Sequence, residues 1–329
     1  MTPNQKAPDA SSDHYNARTY LKHFSDPNKP GFIWRYWKSN PNDCKSKSIK
    51  SVCCEAGGDY NPYFENNRPL DDYFRFIENG YNPSLKDFED NNYNGDAKLY
   101  IASNIARMRL WTPKRKGLGK LALEKDIENL GRKMAEDLRI NPNRYQEIIE
   151  HVKKVSKNPD EINAQTMAND LEDPRIRLKI DPHFSNTGLI EGMPEAGLYY
   201  YRMPWSIIHN TTAKPFITSD NPVCMLEYGN VYVPLTPKLA VLIHIVPLNH
   251  SLKSIIFELP QTEKGVETLN SNIVKFADQY VLSNVQEDWI KTMVEKFQNY
   301  KEDYSEQIVG EGSDENGNYE IIQKRFGVK

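Results

Sequence analysis

Cysteine is scarce in this chain. Four occur in 329 residues, Cys44, Cys53, Cys54 and Cys224. None belongs to a C-x-x-C pair, and the adjacent Cys53 and Cys54 suit neither a zinc knuckle nor an ordinary disulfide. They are expected to be reduced thiols, as in a reducing compartment, and the expected location is the cytoplasm. No window approaches the ~18 uninterrupted apolar residues of a membrane span. Residues 1–12 (MTPNQKAPDASS) lack the apolar core of a signal peptide and are expected to form a flexible polar tail. There is no surplus of positive charge. The net charge of −3 argues against a dedicated duplex-DNA binder. Several catalytic signatures are missing too: no G-x-S-x-G, no H-E-x-x-H, no Rossmann glycine fingerprint and no complete EF-hand loop. His183, His209 and His244 have no ligand-like spacing.

Aromatic residues are plentiful. Nineteen Tyr, 12 Phe and 5 Trp, within a composition that is 38% hydrophobic and 26% charged, supply a large core under a wet surface. Residues 68–172 read as mostly helical and residues 195–260 as mostly strand and turn. Runs of helices, then strands, then helices indicate an α+β fold rather than repeating βαβ units. The expected architecture is one compact unit over residues 13–329, with a helical N-terminal half packed on a small, mostly antiparallel sheet and helices at the C-terminal end.

Local patterns give the elements. His14 to Phe24 reads as a short helix, and the aromatic run Phe32 to Trp37 as a strand. Leu70 to Asn79 reads as a helix broken at Asn82-Pro83, with Pro83 opening a second short one. Asp96 is the expected N-cap of a helix to Trp111 whose core stripe is Ala97, Ile101, Ile105 and Met108. A second line on that helix, Tyr100, Asn104, Arg107 and Trp111, sets a polar pair between aromatics. Helices are expected over Leu123 to Leu138, Tyr145 to Val155 and 160–172. Trp205 to His209 and Phe216 to Thr218 read as a hairpin. Val231 to Val233, Ala240 to Val246 and Ser254 to Phe257 read as strands. Val266 to Ser283 reads as one long helix, Asp288 to Tyr300 as another, and Asn316-Gly317 as a hairpin turn before Tyr319 to Phe326.

The stretch Thr218-Ser219-Asp220-Asn221-Pro222 sets turn-forming polar residues directly after the apolar pair Phe216-Ile217, where a fold exposes side chains at a strand end. With the opening His14-Tyr15…Tyr20-Leu21…Phe24, it resembles the bacterial domain-of-unknown-function family 4238. Tyr60, Glu78, Asn104…Arg107, Thr112-Pro113, Trp205, Pro234 to Pro237 and Asn270…Ala277 continue the likeness. Ala17 stands where the family often has Pro. An insertion before Thr112 leaves either Arg107 or Arg109 as the family's arginine. The resemblance implies a shared fold and a common site, and no activity.

Each candidate for chemistry has a plainer alternative. Asp220 is a strand-end general base or metal ligand with Asn221 orienting substrate, or the two are turn caps. The catalytic alternative has Asp220→Ala keeping its melting temperature and losing activity, whereas a turn residue would lose folding. His14 is an acid–base group or a packed residue near a helix start. Arg107 clamps a phosphate or carboxylate, or pairs with Glu78. Tyr20 and Asn270 are candidate ligand contacts, Asn270 alternatively capping a loop. Trp111 to Lys120 (WTPKRKGLGK) could hold single-stranded nucleic acid with Trp111 stacking a base, or is a solvated basic loop. The leading expectation is a hydrolase of a phosphoester or nucleotide-like substrate, with His14, Glu78, Asp220 and Asn221 catalytic and Arg107, Tyr20 and Asn270 binding. A divalent metal is the one cofactor this chemistry suggests. The alternative is a non-catalytic module that binds a small ligand or a partner protein.

Overall fold

The computed structural model describes residues 12–173, 175, 180–226, 229–245, 256–260, 262–314 and 317–328. The fold is α+β. The chain forms two compact units, one made by the chain up to Lys116 and from Asn186 onward, the other by Gly117–Ser185. Sequence patterning had suggested a single unit, because it does not show that the middle helices close a core of their own. The chain passes between the units within α4 (Pro113–Ile140) and returns within α7 (Pro182–Arg202). The tail expected over residues 1–12 lies outside the described residues, apart from Ser12, which opens β1.

In the larger unit a sheet is buried on both faces. Its strand order is β10 (Ile256–Pro260), β5 (Trp205–His209), β9 (Leu239–Ile243), β8 (Val231–Pro234) and β7 (Cys224–Met225). β10 runs parallel to β5, and the other pairs are antiparallel. Strand alternation sorts the side chains. Trp205, Ile207, Val231, Val233, Val241 and Ile243 join one core, with Phe74, Ile77, Tyr81 and Phe88 of α2 (Asp71–Glu89) and Ile101, Ile105 and Met108 of α3 (Gly95–Leu110). Ile208, Cys224, Tyr232 and Ala240 face the other way. They meet Val266, Ile273 and Val274 of α8 (Glu263–Phe276) and Ile290 and Val294 of α9 (Asp288–Phe297). A second sheet has the order β3 (Cys44–Ser48), β2 (Phe32–Trp37), β11 (Tyr280–Ser283) and β6 (Thr218–Ser219). β1 (Ser12–His14) pairs with β4 (Cys54–Ala56), opposing His14 to Cys54. A hairpin of β12 (Glu302–Asp314) and β13 (Gly317–Val328) ends the chain. Asn316 of the expected turn lies outside the described residues, as do Val246, Ser254 and Ile255 of the expected strands.

The smaller unit holds the rest of α4, α5 (Gln146–Val155) and α6 (Ala164–Glu172), gathered on Ala135, Leu138, Ile149 and Ala168. A reciprocal cap between Asn163 and Thr166 starts α6. Among the described residues no helix is long and apolar enough to cross a membrane.

Several elements differ from the sequence expectation, each for a physical reason. α2 runs unbroken through Pro83. Burial of Tyr81, Leu85 and Phe88 offsets an interior proline that costs about 3 kcal/mol. Asn94, not Asp96, caps α3 by accepting the Ala97 N–H. α3 is buried on nearly every side, and of its second line Asn104, Arg107 and Trp111 are buried and Tyr100 partly so. The basic stretch from Pro113 to Lys120 is the start of α4, with proline at its first position, rather than a loop. Trp111 is buried and donates its indole N–H to Asp59 Oδ1 at 2.7 Å, so it is not placed to stack a base. α7 extends helix to Arg202 inside the stretch expected to be strand-rich. β5 and β6 belong to different sheets rather than to one hairpin, the Asn210 amide bonding Lys214 O and Pro237 O as the chain leaves β5. The helix expected over Val266 to Ser283 stops at Phe276, and Tyr280 onward is strand.

Candidate active site

Three of the sequence-predicted groups, His14, Glu78 and Arg107, line one cleft of about 330 Å³. Each comes from a different element: β1, the middle of α2, and the C-terminal end of α3. Arg107 donates from Nη1 to Glu78 Oε1 and from Nη2 to the His14 carbonyl, both at 2.6 Å. Its guanidinium lies over the Phe74 ring, 3.8 Å from the centroid. The Nε–H of the same side chain is buried with no hydrogen-bond partner.

The His14 ring is half-buried, with Nε2 3.3 Å from the Ile49 carbonyl. A carbonyl only accepts, which assigns the proton to Nε2 and leaves the lone pair on Nδ1. Burial lowers the imidazole pKa below its ordinary value, the Ile49 carbonyl pulls it back up, and Arg18 and Arg107 add to the lowering. Near neutral pH the ring is therefore an uncharged base. Arg18, the first residue of α1 (Arg18–Lys22), is exposed and lines the same cleft.

Asp13, Asp59, Asp71 and Arg75 also line the cleft, and Arg68 pairs with Asp13. Asp13 accepts from Arg68 Nη2 at 2.8 Å and from the Asp59 backbone N–H at 3.1 Å. Burial raises the Asp59 pKa, opposed by the hydrogen bond from Trp111. Sequence reasoning passed over Asp13, Arg18, Asp59 and Arg68. Arg18 was within reach, four residues after His14 in the opening motif. Asp59 was not, since its place depends on a loop carrying it to Trp111.

Tyr20, Asp220, Asn221 and Asn270 are not among the cleft-lining residues. Asp220, Asn221 and Asn270 hold backbone at or near the Thr218 to Pro222 motif, and Tyr20 bonds the Thr218 side chain. Tyr20 Oη lies 2.6 Å from Thr218 Oγ1 and donates to Pro234 O at 2.9 Å. Asn270 accepts the Ile217 N–H and donates to Pro215 O. Asp220 accepts three backbone N–H groups, from Asp278 on Oδ1 at 2.9 Å and from Gln279 and Tyr280 on Oδ2 at 2.7 and 3.3 Å. Asn221 donates to Phe276 O and to Glu302 Oε2, both at 3.0 Å. Asn16, two residues past His14, donates to the Ser219 carbonyl. Burial pushes the Asp220 carboxyl up to about 7 despite its three donors.

Cys53 lies beside this motif, with the Tyr280 hydroxyl accepting its backbone N–H at 2.9 Å. Burial pushes the thiol up to about 12, so it is not a nucleophile at neutral pH. The four cysteines are free. Among the described residues no group of three or more His, Cys, Asp or Glu side chains is arranged to hold a metal ion.

A family model described as "Protein of unknown function (DUF4238)" matches residues 13–287. No curated protein and no solved structure matches the chain.

Proposed function

We propose that this chain, which belongs to the DUF4238 family of proteins of unknown function, is a bacterial cytoplasmic hydrolase that takes a small phosphoester or nucleotide-like ligand into the His14–Glu78–Arg107 cleft. The observation that carries this reading is the meeting of those three side chains, from three elements, beside the exposed Arg18. The positive charges of Arg18 and Arg107 suit the phosphoryl oxygens. Glu78 holds the Arg107 guanidinium in place. A water attacking phosphorus would give its proton to His14 Nδ1 while the bond to the leaving oxygen breaks.

The test has two arms. The first is a thermal-shift panel of mononucleotides, phosphomonoesters and phosphodiesters, with and without divalent metals, asking whether any ligand raises the melting temperature. The second is release of nitrophenol from the corresponding nitrophenyl esters. His14→Gln is expected to keep the thermal shift and abolish turnover. If no phosphate compound stabilises the chain, the reading fails.

One observation favours a second reading, a non-catalytic ligand-binding or sensor module. Both terminal nitrogens of Arg107 already hold protein acceptors, so the cleft can retain an anion with little left over to stabilise a transition state. Binding that survives His14→Gln, without turnover in the wild type, selects this reading.

A further inference from the structure

A second set of charges lies away from the cleft, and the proposed function does not use it. Glu302, the first residue of β12, has a side chain with no solvent exposure. Its Oε1 meets Arg109 Nη2 at 2.7 Å and Arg115 Nη1 at 3.3 Å. Its Oε2 accepts the Asn221 amide at 3.0 Å. Arg109 also donates to the Val223 carbonyl at 3.4 Å, and the Asn221 amide also donates to Phe276 O. Two guanidiniums and an amide converging on one carboxylate make a built oxyanion receptor: planar, multidentate and shielded from water.

The receptor and its occupant differ in origin. Arg109, Arg115 and Asn221 lie within the family-matched residues 13–287, and Asn221 belongs to the Thr218 to Pro222 motif. Glu302 lies beyond the match. The chain approaches it through exposed Tyr300 and Lys301, and the Tyr300 carbonyl accepts from Lys38 Nζ at 2.6 Å. The carboxylate thus reaches the receptor from a segment outside the matched region.

We infer that Arg109, Arg115 and Asn221 form an oxyanion-binding site that the chain fills with its own Glu302, and that a free phosphate or carboxylate takes this place when the start of β12 withdraws. Glu302 is an internal ligand, and the C-terminal hairpin is the part released. Phosphate and carboxylate share the recognition chemistry, and the experiment separates them by probe.

The full-length chain carrying Glu302→Ala is titrated with inorganic phosphate and, separately, with acetate, reading the melting temperature. The expected result is a saturable upward shift larger than that of the wild type with at least one probe. The shift should be lost when Arg109→Met is added. It should persist with Arg18→Gln, which alters the cleft instead. A shift no larger than the wild type's, or one that survives Arg109→Met, overturns the inference. Should Glu302→Ala fail to fold, the wild-type chain carries the test through hydrogen exchange at residues 302–305. Exchange that quickens with added phosphate or acetate supports displacement, and exchange unchanged across both titrations overturns it.

Discussion

The Asp220 carboxylate accepts the backbone N–H of Gln279 at 2.7 Å, and the neighbouring amides of Asp278 and Tyr280 converge on the same group. This side chain fastens the turn that separates α8 from β11. Asp220→Ala would leave three backbone donors unmet, the Tyr280 amide buried and those of Asp278 and Gln279 part-buried, at about 1–3 kcal/mol for a fully buried one. It is expected to lower the urea midpoint severely rather than remove activity from a folded protein. The pH dependence has a definite sign. The folded carboxyl, raised by burial to about 7 from 3.8, binds protons more readily than the unfolded one. Its contribution is therefore complete below pH 3.8 and fades as pH rises through about 7. Urea midpoints of the wild type minus those of Asp220→Asn should fall across that window. A flat difference would show that Asp220 does not change protonation on folding.

The Arg107–Glu78 pair is lopsided. The arginine side chain is 3% exposed and the glutamate 37%. Removing the arginine leaves a carboxylate that reaches water, whereas removing the glutamate strands a buried guanidinium with only the His14 carbonyl. Glu78→Ala is expected to cost on the order of 2–3 kcal/mol, and more than Arg107→Met, despite deleting the more exposed partner. Chemical denaturation of the two variants gives the order, and equal losses would mean that the cleft re-hydrates Arg107 freely.

If His14 acts as the base, its lowered pKa moves the acid limb of the rate profile below pH 6.5. Stability follows in the same direction. The contribution of a histidine depressed mainly by burial is present above pH 6.5 and is lost as pH falls through the folded value. A limb centred at or above 6.5 would show that the group titrating in the rate profile is not a His14 with a lowered pKa.

Gly80 tests the packing of α2 on α3. A Cβ there would lie 2.2 Å from ring carbons of Tyr100, whose ring packs at a tilt against Phe76. Gly80→Ala improves helix propensity by about 1 kcal/mol, yet it is expected to destabilise by about 1–3 kcal/mol through overpacking. Adding Tyr100→Ala should recover much of that loss in a double-mutant cycle.

The sequence disclosed what depends on neighbours in the chain. The stripes of α2 and α3, the aromatic strand β2 and the amphipathic α9 follow from local periodicity. The joining of His14, Glu78 and Arg107 was legible as a possibility because each is polar at an otherwise apolar or ordered position. What stayed hidden depends on distant partners. The break after Phe276 has no glycine or proline to announce it, since the residue that turns the chain is Asp220. The separation of β5 from β6 depends on Asn210 and on pairing with β9 and β11. Asp220 is open to two readings for the same reason: a carboxylate at a strand end looks catalytic until the backbone that it caps is known.

β11 lies between β2 and β6, pairing Tyr280 with Trp37 and Val281 with Ser219. β2, near the start of the sequence, and β6, about two-thirds of the way along it, must therefore wait for a segment made later than both. At about 5–20 residues per second, a ribosome leaves the early strand β2 without that neighbour for about ten seconds or more. During synthesis, Trp34, Tyr36 and Trp37 present an open edge that a chaperone, or another nascent copy, can reach first.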